Sequence, residues 1–290
     1  MNDDELQSYT VVQLANGSYS LRSSKYGETF HPVIGPEREA ETLYLKQLRL
    51  VERAASEKGV FYIWDVGLGA GANILTVLSG LQHLEKEIRV ISFDYTKSPL
   101  EVALKAVDRL KYLSGWEDLL QALMEKGQVK FRKGGLKVTW DFIKGDFPTA
   151  LHSPASESWP KPHAVLFDAF SPAKNPAMWT LKLFSRMHEL LDPARPCSLP
   201  TYSRSTMLRV TLLLAGFYVG SGDSTGEKEE TTIAANRLEL IERPLKKEWL
   251  RKVANSKSAE PLHEASYQQR HILPESFERL KQHPQFSQES

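Results

Sequence analysis

A chain of 290 residues with 37 Lys and Arg against 36 Asp and Glu holds one large domain or a domain plus an extension, and either buries a sizeable core. The balanced charge excludes a basic coat for nucleic acid but leaves room for a local basic patch. The single cysteine, Cys197, excludes an internal disulfide, no Cys/His group has zinc-site spacing, and no apolar run is long enough to span a membrane. With an acidic N-terminus in place of a secretory signal, these features predict a soluble, cytoplasmic, monomeric protein that uses neither metal nor membrane.

Taken in chain order, Tyr9-Thr-Val-Val12 and Tyr19-Ser-Leu21 flank Asn16-Gly17, which predicts a hairpin. Leu43, Leu45, Leu48, Leu50 and Val51, set among charges, predict one amphipathic helix over 37–58, closed by Gly59. Beyond Gly59 strands alternate with helices: Val60-Phe-Tyr-Ile-Trp64, a helix from Ala72, Arg89-Val-Ile-Ser-Phe93, a helix from Pro99, Lys137-Val-Thr-Trp140 and Ala164-Val-Leu-Phe167. That order implies right-handed βαβ units and a mostly parallel sheet. A fifth strand is expected at Ser198-Leu-Pro-Thr-Tyr202, where Pro200 favours a strand end. A helix over 206–215 stops at Gly216, and 217–219 with 231–234 read as a closing antiparallel hairpin. After Arg243-Pro244 the charged remainder reads as a loosely packed helical tail. The expected organisation is an N-terminal hairpin and helix extension (1–58), a Rossmann-like α/β domain (59–243) and a helical extension (244–290).

Asp65-Val-Gly67-Leu-Gly69-Ala-Gly71 lies between the first strand of the alternating region and its helix. Gly67, Gly69 and Gly71 keep such a turn tight and let a cofactor lie on bare backbone. Asp94, at the end of the next strand, is placed to accept hydrogen bonds from ribose hydroxyls. A dinucleotide loop needs Gly-x-Gly-x-x-Gly to seat pyrophosphate on the helix N-terminus, and here the third glycine comes one residue early. With Asp65 ahead of the glycines to meet a cationic amino-acid tail, the spacing favours S-adenosylmethionine. Gly145-Asp146, after the third strand, offers a carboxylate to the adenine amine.

The segment Asp168-Ala-Phe-Ser-Pro-Ala-Lys-Asn-Pro-Ala-Met-Trp179 leaves the end of a buried strand, where open α/β sheets keep their chemistry. Asp-x-x-Ser-Pro also serves as an ordinary helix entry. As a site, the segment brings an acid (Asp168), a cation (Lys174), an amide (Asn175) and two aromatic faces (Phe170, Trp179) to a planar, nitrogen-bearing substrate.

The 168–179 block, Gly67-Leu-Gly69-Ala-Gly71-Ala-Asn-Ile-Leu75, Tyr26-Gly-Glu-Thr-Phe30, Glu39-Ala-Glu-Thr-Leu-Tyr-Leu45, Ser98-Pro-Leu100 and Leu214-Ala-Gly-Phe217 together resemble the methyltransferase domain of the bacterial tRNA-modifying enzyme MnmC, over roughly 20–243. The family usually has Glu where Asp65 and Asp94 stand, and Lys-Arg-Glu where this chain has Lys228-Glu-Glu230. The resemblance implies a class I S-adenosylmethionine-dependent methyltransferase fold acting on the anticodon region of tRNA. The implied reaction methylates the aminomethyl nitrogen of 5-aminomethyluridine at the wobble position. Asp168 would orient the amine and take its proton, Phe170 and Trp179 would stack on the uracil, and Lys174 would meet a phosphate or a base carbonyl. Candidate tRNA contacts are Arg204, Arg209, Lys246, Lys247, Arg251, Lys252 and Arg270. Two other readings share these features: an aminopropyltransferase of the spermidine synthase type, and an RNA-binding protein with a vestigial cofactor pocket. The first calls for a second acid shortly after Asp168, where Phe170 and Ser171 stand, and the intact glycine loop argues against the second.

Overall fold

Alternating polar and apolar residues build β1 (Tyr9–Gln13) and β2 (Tyr19–Ser23), an antiparallel hairpin that β3 (Glu28–Thr29) extends. Gly17 supplies the left-handed turn residue at φ 85°, as the Asn-Gly signal requires. This is a computed structural model, and it describes residues 3–31, 33–225 and 230–287; Lys228 and Glu229 lie outside them.

The single helix expected over 37–58 is three pieces: an α-helix at Pro36–Ala40, a π-helix at Glu41–Lys46 and an α-helix at Leu50–Ser56, with Arg49 left-handed at φ 50° between the last two. The wider π turn carries Leu43 and Tyr44 into the core, and Leu45 packs against Gly80, where a Cβ would come within 2.5 Å of its methyl. Tyr44 Oη donates to the carbonyl of Phe167 at 3.5 Å, one residue before Asp168.

The chain divides into two compact units. The first, residues 1–147 with 164–168 and 224–229, contains β4 (Phe61–Val66), β5 (Lys86–Asp94), β6 (Gln128–Lys133), β7 (Leu136–Lys144) and β8 (Ala164–Phe167) in the order β8-β4-β5-β7-β6. Four of these strands run parallel, and β6 pairs antiparallel with β7 at the edge. The centre of the sheet is covered on both faces, so β4 and β8 read as continuous apolar runs. Trp64 and Phe93 meet edge to face at 5.9 Å, and Phe93 meets Phe147 at 5.0 Å. The sequence reading passed over β6, because Gln-Val-Lys-Phe-Arg-Lys holds only two apolar residues, both half-buried.

The second unit, 148–163, 169–223 and 230–290, holds β9 (Ser198–Thr201), β10 (Tyr218–Gly222) and β11 (Thr231–Ala235), antiparallel in the order β10-β11-β9. Pro200 sits inside β9 opposite Ile233. Helices Leu181–Glu189 and Thr206–Leu214 start on hydroxyl caps, Thr180 accepting from the Leu183 amide at 3.2 Å and Ser205 from that of Leu208 at 3.1 Å.

The C-terminal segment is fastened down rather than loose. Leu250, Val253, Leu280 and Phe286 from its three short helices are buried. The Gln285 amide acts as a further strand partner, accepting from the Val219 N–H at 2.8 Å and donating to the Val219 and Leu245 carbonyls at 2.8 and 2.7 Å. Glu260 accepts from the Leu273 N–H at 2.8 Å and the Ser276 hydroxyl at 2.9 Å. The apolar anchors are too widely spaced among charges to show as a periodic pattern.

Candidate active site

The glycine loop leaves β4 and is tied to the end of β5: the Gly67 and Leu68 N–H groups both donate to the Phe93 carbonyl, at 2.9 and 3.1 Å. Gly69 is left-handed at φ 52°, its N–H donates to Asp94 Oδ2 at 2.8 Å, and a Cβ there would lie 3.1 Å from the Phe30 ring. A side chain at this point would therefore strain the backbone and crowd the cradle. The other Asp94 oxygen accepts from the Thr96 N–H at 3.2 Å. Burial pushes this carboxyl up to about 6 against the pull of these backbone donors.

Asp65 is almost fully buried, and its Oδ2 accepts from the Ser92 hydroxyl at 2.6 Å, which in turn accepts from the Trp140 indole N–H at 2.8 Å. Burial, reinforced by the charges of Asp168 and Asp94, raises it to about 7 despite the Ser92 bond. In the sheet register Asp65 stands opposite Ser92 on β5 and Leu166 on β8, so β4 places it between the strand that ends at Asp94 and the strand that Asp168 follows.

Asp168 follows β8, its N–H bonded to the Val66 carbonyl at 2.9 Å. Its Oδ2 accepts from Asn73 Nδ2 at 2.8 Å and faces His31 Nε2 at 3.5 Å, while His31 Nδ1 faces Glu39 Oε2 at 3.8 Å. Burial tends to neutralise His31, but the charges of Asp168 and Glu39 prevail and hold it cationic up to about 9. The Asp168 carboxyl is itself raised, by burial first, with His31 and Asn73 opposing and Glu39 adding to the rise. Asp168 and Glu39 thus flank the His31 imidazolium, and Asp65 lies within electrostatic reach of both Asp168 and Asp94, so the strand ends gather acidic groups suited to a cationic ligand.

Sequence reasoning missed His31, Glu39 and Asn73. Asn73 was legible in principle, two residues beyond Gly71 on the helix Ala72–Leu81. His31 and Glu39 come from the N-terminal segment, and only the Tyr26–Phe30 and Glu39–Leu45 stretches of the family resemblance pointed near them. Tyr26, raised to about 12 by burial and by the neighbouring Tyr95 and Asp94, adds an aromatic wall beside Asp94 that was also unforeseen. Gly145 donates through its N–H to the Asp94 carbonyl at 2.9 Å, which brings the Gly145-Asp146 turn to the same strand end, with the Asp146 side chain exposed.

Residues 169–179 continue directly from Asp168 in the chain. Their turn is closed by the Lys174 and Asn175 N–H groups, which donate to the Ser171 carbonyl at 2.9 and 2.8 Å. Lys174 is exposed, and Phe170 and Asn175 are half-buried. Trp179 departs from expectation: it is wholly buried, its indole N–H donates to the Phe170 carbonyl at 2.8 Å, and its ring packs against Tyr202 and Phe184. With both faces occupied by protein it shapes the loop and is withdrawn from the stacking set. Trp179→Ala should lower stability by ~3–5 kcal/mol, read as a lower melting temperature; an unchanged value would show that the ring bears no packing load. Arg209 is corrected in the same way, being buried, 3.1 Å from Glu230 and bonded to the Thr231 carbonyl and the Thr232 hydroxyl. Arg204, Lys246, Lys247, Arg251, Lys252 and Arg270 are exposed.

Residues 111–237 match the family model of an S-adenosyl-L-methionine-dependent methyltransferase. The parallel sheet and the glycine loop accord with that match, which spans under half of the chain. The chain is 27% identical over 222 residues to the Marinomonas tRNA 5-methylaminomethyl-2-thiouridine biosynthesis bifunctional protein MnmC, an alignment covering 73% of this chain and 32% of that protein. The chain thus spans about a third of the length of such curated relatives. The crystal structure of MnmC2 from Aquifex aeolicus superposes with a TM-score of 0.66 at 25% identity, covering 94% of this chain and 82% of that one. Spermidine synthase from Thermotoga maritima shares the fold alone, with a TM-score of 0.51 at 13% identity, covering 94% and 83%. Among the described residues no helix is long and apolar enough to cross a membrane, and no group of His, Cys, Asp and Glu has metal-binding geometry.

Proposed function

We propose that the chain transfers a methyl group from S-adenosylmethionine to the aminomethyl nitrogen of 5-aminomethyluridine at the tRNA wobble position, giving 5-methylaminomethyluridine. The observation that carries this reading is the Asp168 carboxyl, placed beside the glycine loop by β8 and held by Asn73 and His31. The MnmC relatives, with their name for this modification, support the choice of substrate.

The residues fit the cofactor. Asn73 Oδ1 is buried with no protein partner, ready for a donor such as an ammonium group, and Asp94 keeps lone pairs for ribose hydroxyls beyond its backbone donors Gly69, Thr96 and Tyr95. Gly67, Gly69, Gly71 and Asp65 would hold the amino-acid part, and Gly145 and Asp146 the adenine. When bound, the cofactor supplies an electrophilic methyl on a sulfonium. Asp168 takes one proton from the substrate ammonium and aligns the freed lone pair with that methyl. Phe170 lies against the uracil, and Lys174 and Asn175 meet polar groups of the nucleotide. Cationic side chains at Arg204, Lys246, Lys247, Arg251, Lys252 and Arg270 meet phosphates of the anticodon arm, so binding weakens as salt rises.

Incubation with S-adenosylmethionine and tRNA halted at the aminomethyl stage should add one methyl to the wobble nucleoside, read by nucleoside mass spectrometry; unmethylated tRNA would overturn the assignment. Putrescine with the decarboxylated donor should give no product, and formation of spermidine would establish the aminopropyltransferase reading instead. Cys197 is buried, with its N–H on Asn236 Oδ1 at 2.8 Å, and offers no nucleophile to activate an unmodified uracil ring. Cys197→Ala should therefore leave methyl transfer within about twofold of wild type. A Cys197-dependent methylation of unmodified uridine would show a different reaction type.

A further inference from the structure

Both ring nitrogens of His31 face a carboxylate, Nε2 toward Asp168 at 3.5 Å and Nδ1 toward Glu39 at 3.8 Å. Its side chain is only 7% exposed. Its backbone sits at φ 46°, an uncommon left-handed conformation that histidine adopts more readily than most residues. An imidazole between two carboxylates answers both only as a donor at both nitrogens, which makes it an imidazolium. The division of labour at Asp168 is equally specific. Asn73 Nδ2 and His31 Nε2 both address Oδ2, and among the described residues nothing bonds Oδ1.

Resting on the function proposed above, we propose that His31 is a positioning residue for Asp168: clamped by Glu39, it stays charged, fixes Asp168 through Oδ2 and keeps the carboxyl ionised, so that Oδ1 is presented to the substrate amine. In the step it serves, one N–H bond of the substrate ammonium breaks and its proton passes to Asp168 Oδ1. The freed electron pair forms the new N–C bond as the S–C bond of the donor breaks, and the sulfur leaves as a neutral thioether. The product leaves as a methylated ammonium that keeps two N–H protons and the positive charge given up by the sulfonium, so atoms and charge balance. The charged groups facing His31 are Asp168, which follows β8, and Glu39, from the helix Pro36–Ala40. Removing the cation from beside Asp168 raises the pH at which the carboxyl ionises, so the acid limb of the rate profile moves up.

The first test needs no substrate. Nitrogen-15 NMR of the histidine rings in the 290-residue chain should show His31 doubly protonated at pH 8, and both Asp168→Asn and Glu39→Gln should move its titration down toward the ordinary histidine range of about 6.5. A neutral His31 ring at pH 7.5 in the wild type would overturn the proposal, whatever the enzyme methylates. The second test is the pH dependence of kcat/KM on tRNA bearing the aminomethyl group. His31→Gln should shift the acid limb upward by about one pH unit, lose about tenfold at neutral pH and recover at high pH. His31→Asn, whose side chain tolerates left-handed backbone, serves if the glutamine variant does not fold. An equal loss at every pH with no shift of the limb would mean a purely structural role and would also overturn the proposal. If no aminomethyl substrate is methylated at all, the function reading fails, while the ring titration still decides the His31 pairing.

Discussion

Asp168→Asn is expected to leave the fold and cofactor affinity in place and to lower kcat by about 100- to 10,000-fold at neutral pH, the usual worth of a positioned proton acceptor. The amide keeps an oxygen for Asn73 Nδ2, so the site holds its shape, but it cannot take the proton of an ammonium. The sign with pH follows from the raised Asp168 carboxyl: the acceptor must be ionised, so wild-type kcat/KM is full above its pKa and falls away below it, at a pH higher than for an ordinary aspartate. In Asp168→Asn the deficit should shrink at high pH, where the amine arrives already neutral. Rapid-quench measurement of methyl transfer across pH separates these cases. Wild-type turnover by Asp168→Asn at neutral pH would remove Asp168 from the chemistry.

The second large effect concerns the cofactor. Asp94 serves twice, bonding the Gly69 and Thr96 N–H groups and offering its remaining lone pairs to ribose hydroxyls. Asp94→Ala removes charge-assisted hydrogen bonds worth ~1–3 kcal/mol, roughly a 5- to 150-fold loss of S-adenosylmethionine affinity, and it also releases the glycine loop. Gly69→Val should weaken binding further still, because valine at φ 52° is strained and its branched carbon meets the Phe30 ring. Titration calorimetry on variants shown to be folded by their melting transitions checks both. Unchanged affinity in the two proteins would sink the assignment of this loop.

The parts of the site that were legible in the sequence are those fixed by local pattern. Buried parallel strands leave continuous apolar runs, and the glycines between β4 and its helix are demanded by a turn whose N–H groups reach back to the Phe93 carbonyl and Asp94. Asp65, Asp94 and Asp168 were visible because each ends or nearly ends such a run. His31 and Glu39 were hidden for the opposite reason. His31 sits in irregular backbone at positive φ, and no spacing of residues announces that it meets an aspartate 137 positions later, as 168 − 31 gives. Trp179 was misjudged because an aromatic residue in a polar loop reads alike whether it faces a substrate or closes the loop from within; its bond to the Phe170 carbonyl decides the matter. Arg209 shows the same limit for charge, since a buried arginine satisfied by Glu230 and Thr231 is indistinguishable in sequence from a phosphate contact.

The most direct measurement is methyl transfer from labelled S-adenosylmethionine to two tRNAs that differ only at the wobble nucleoside, one carrying 5-aminomethyluridine and the other unmodified uridine. An amine site centred on Asp168 should label the first and leave the second at background. Equal labelling of both, or labelling of the unmodified tRNA alone, would contradict the account.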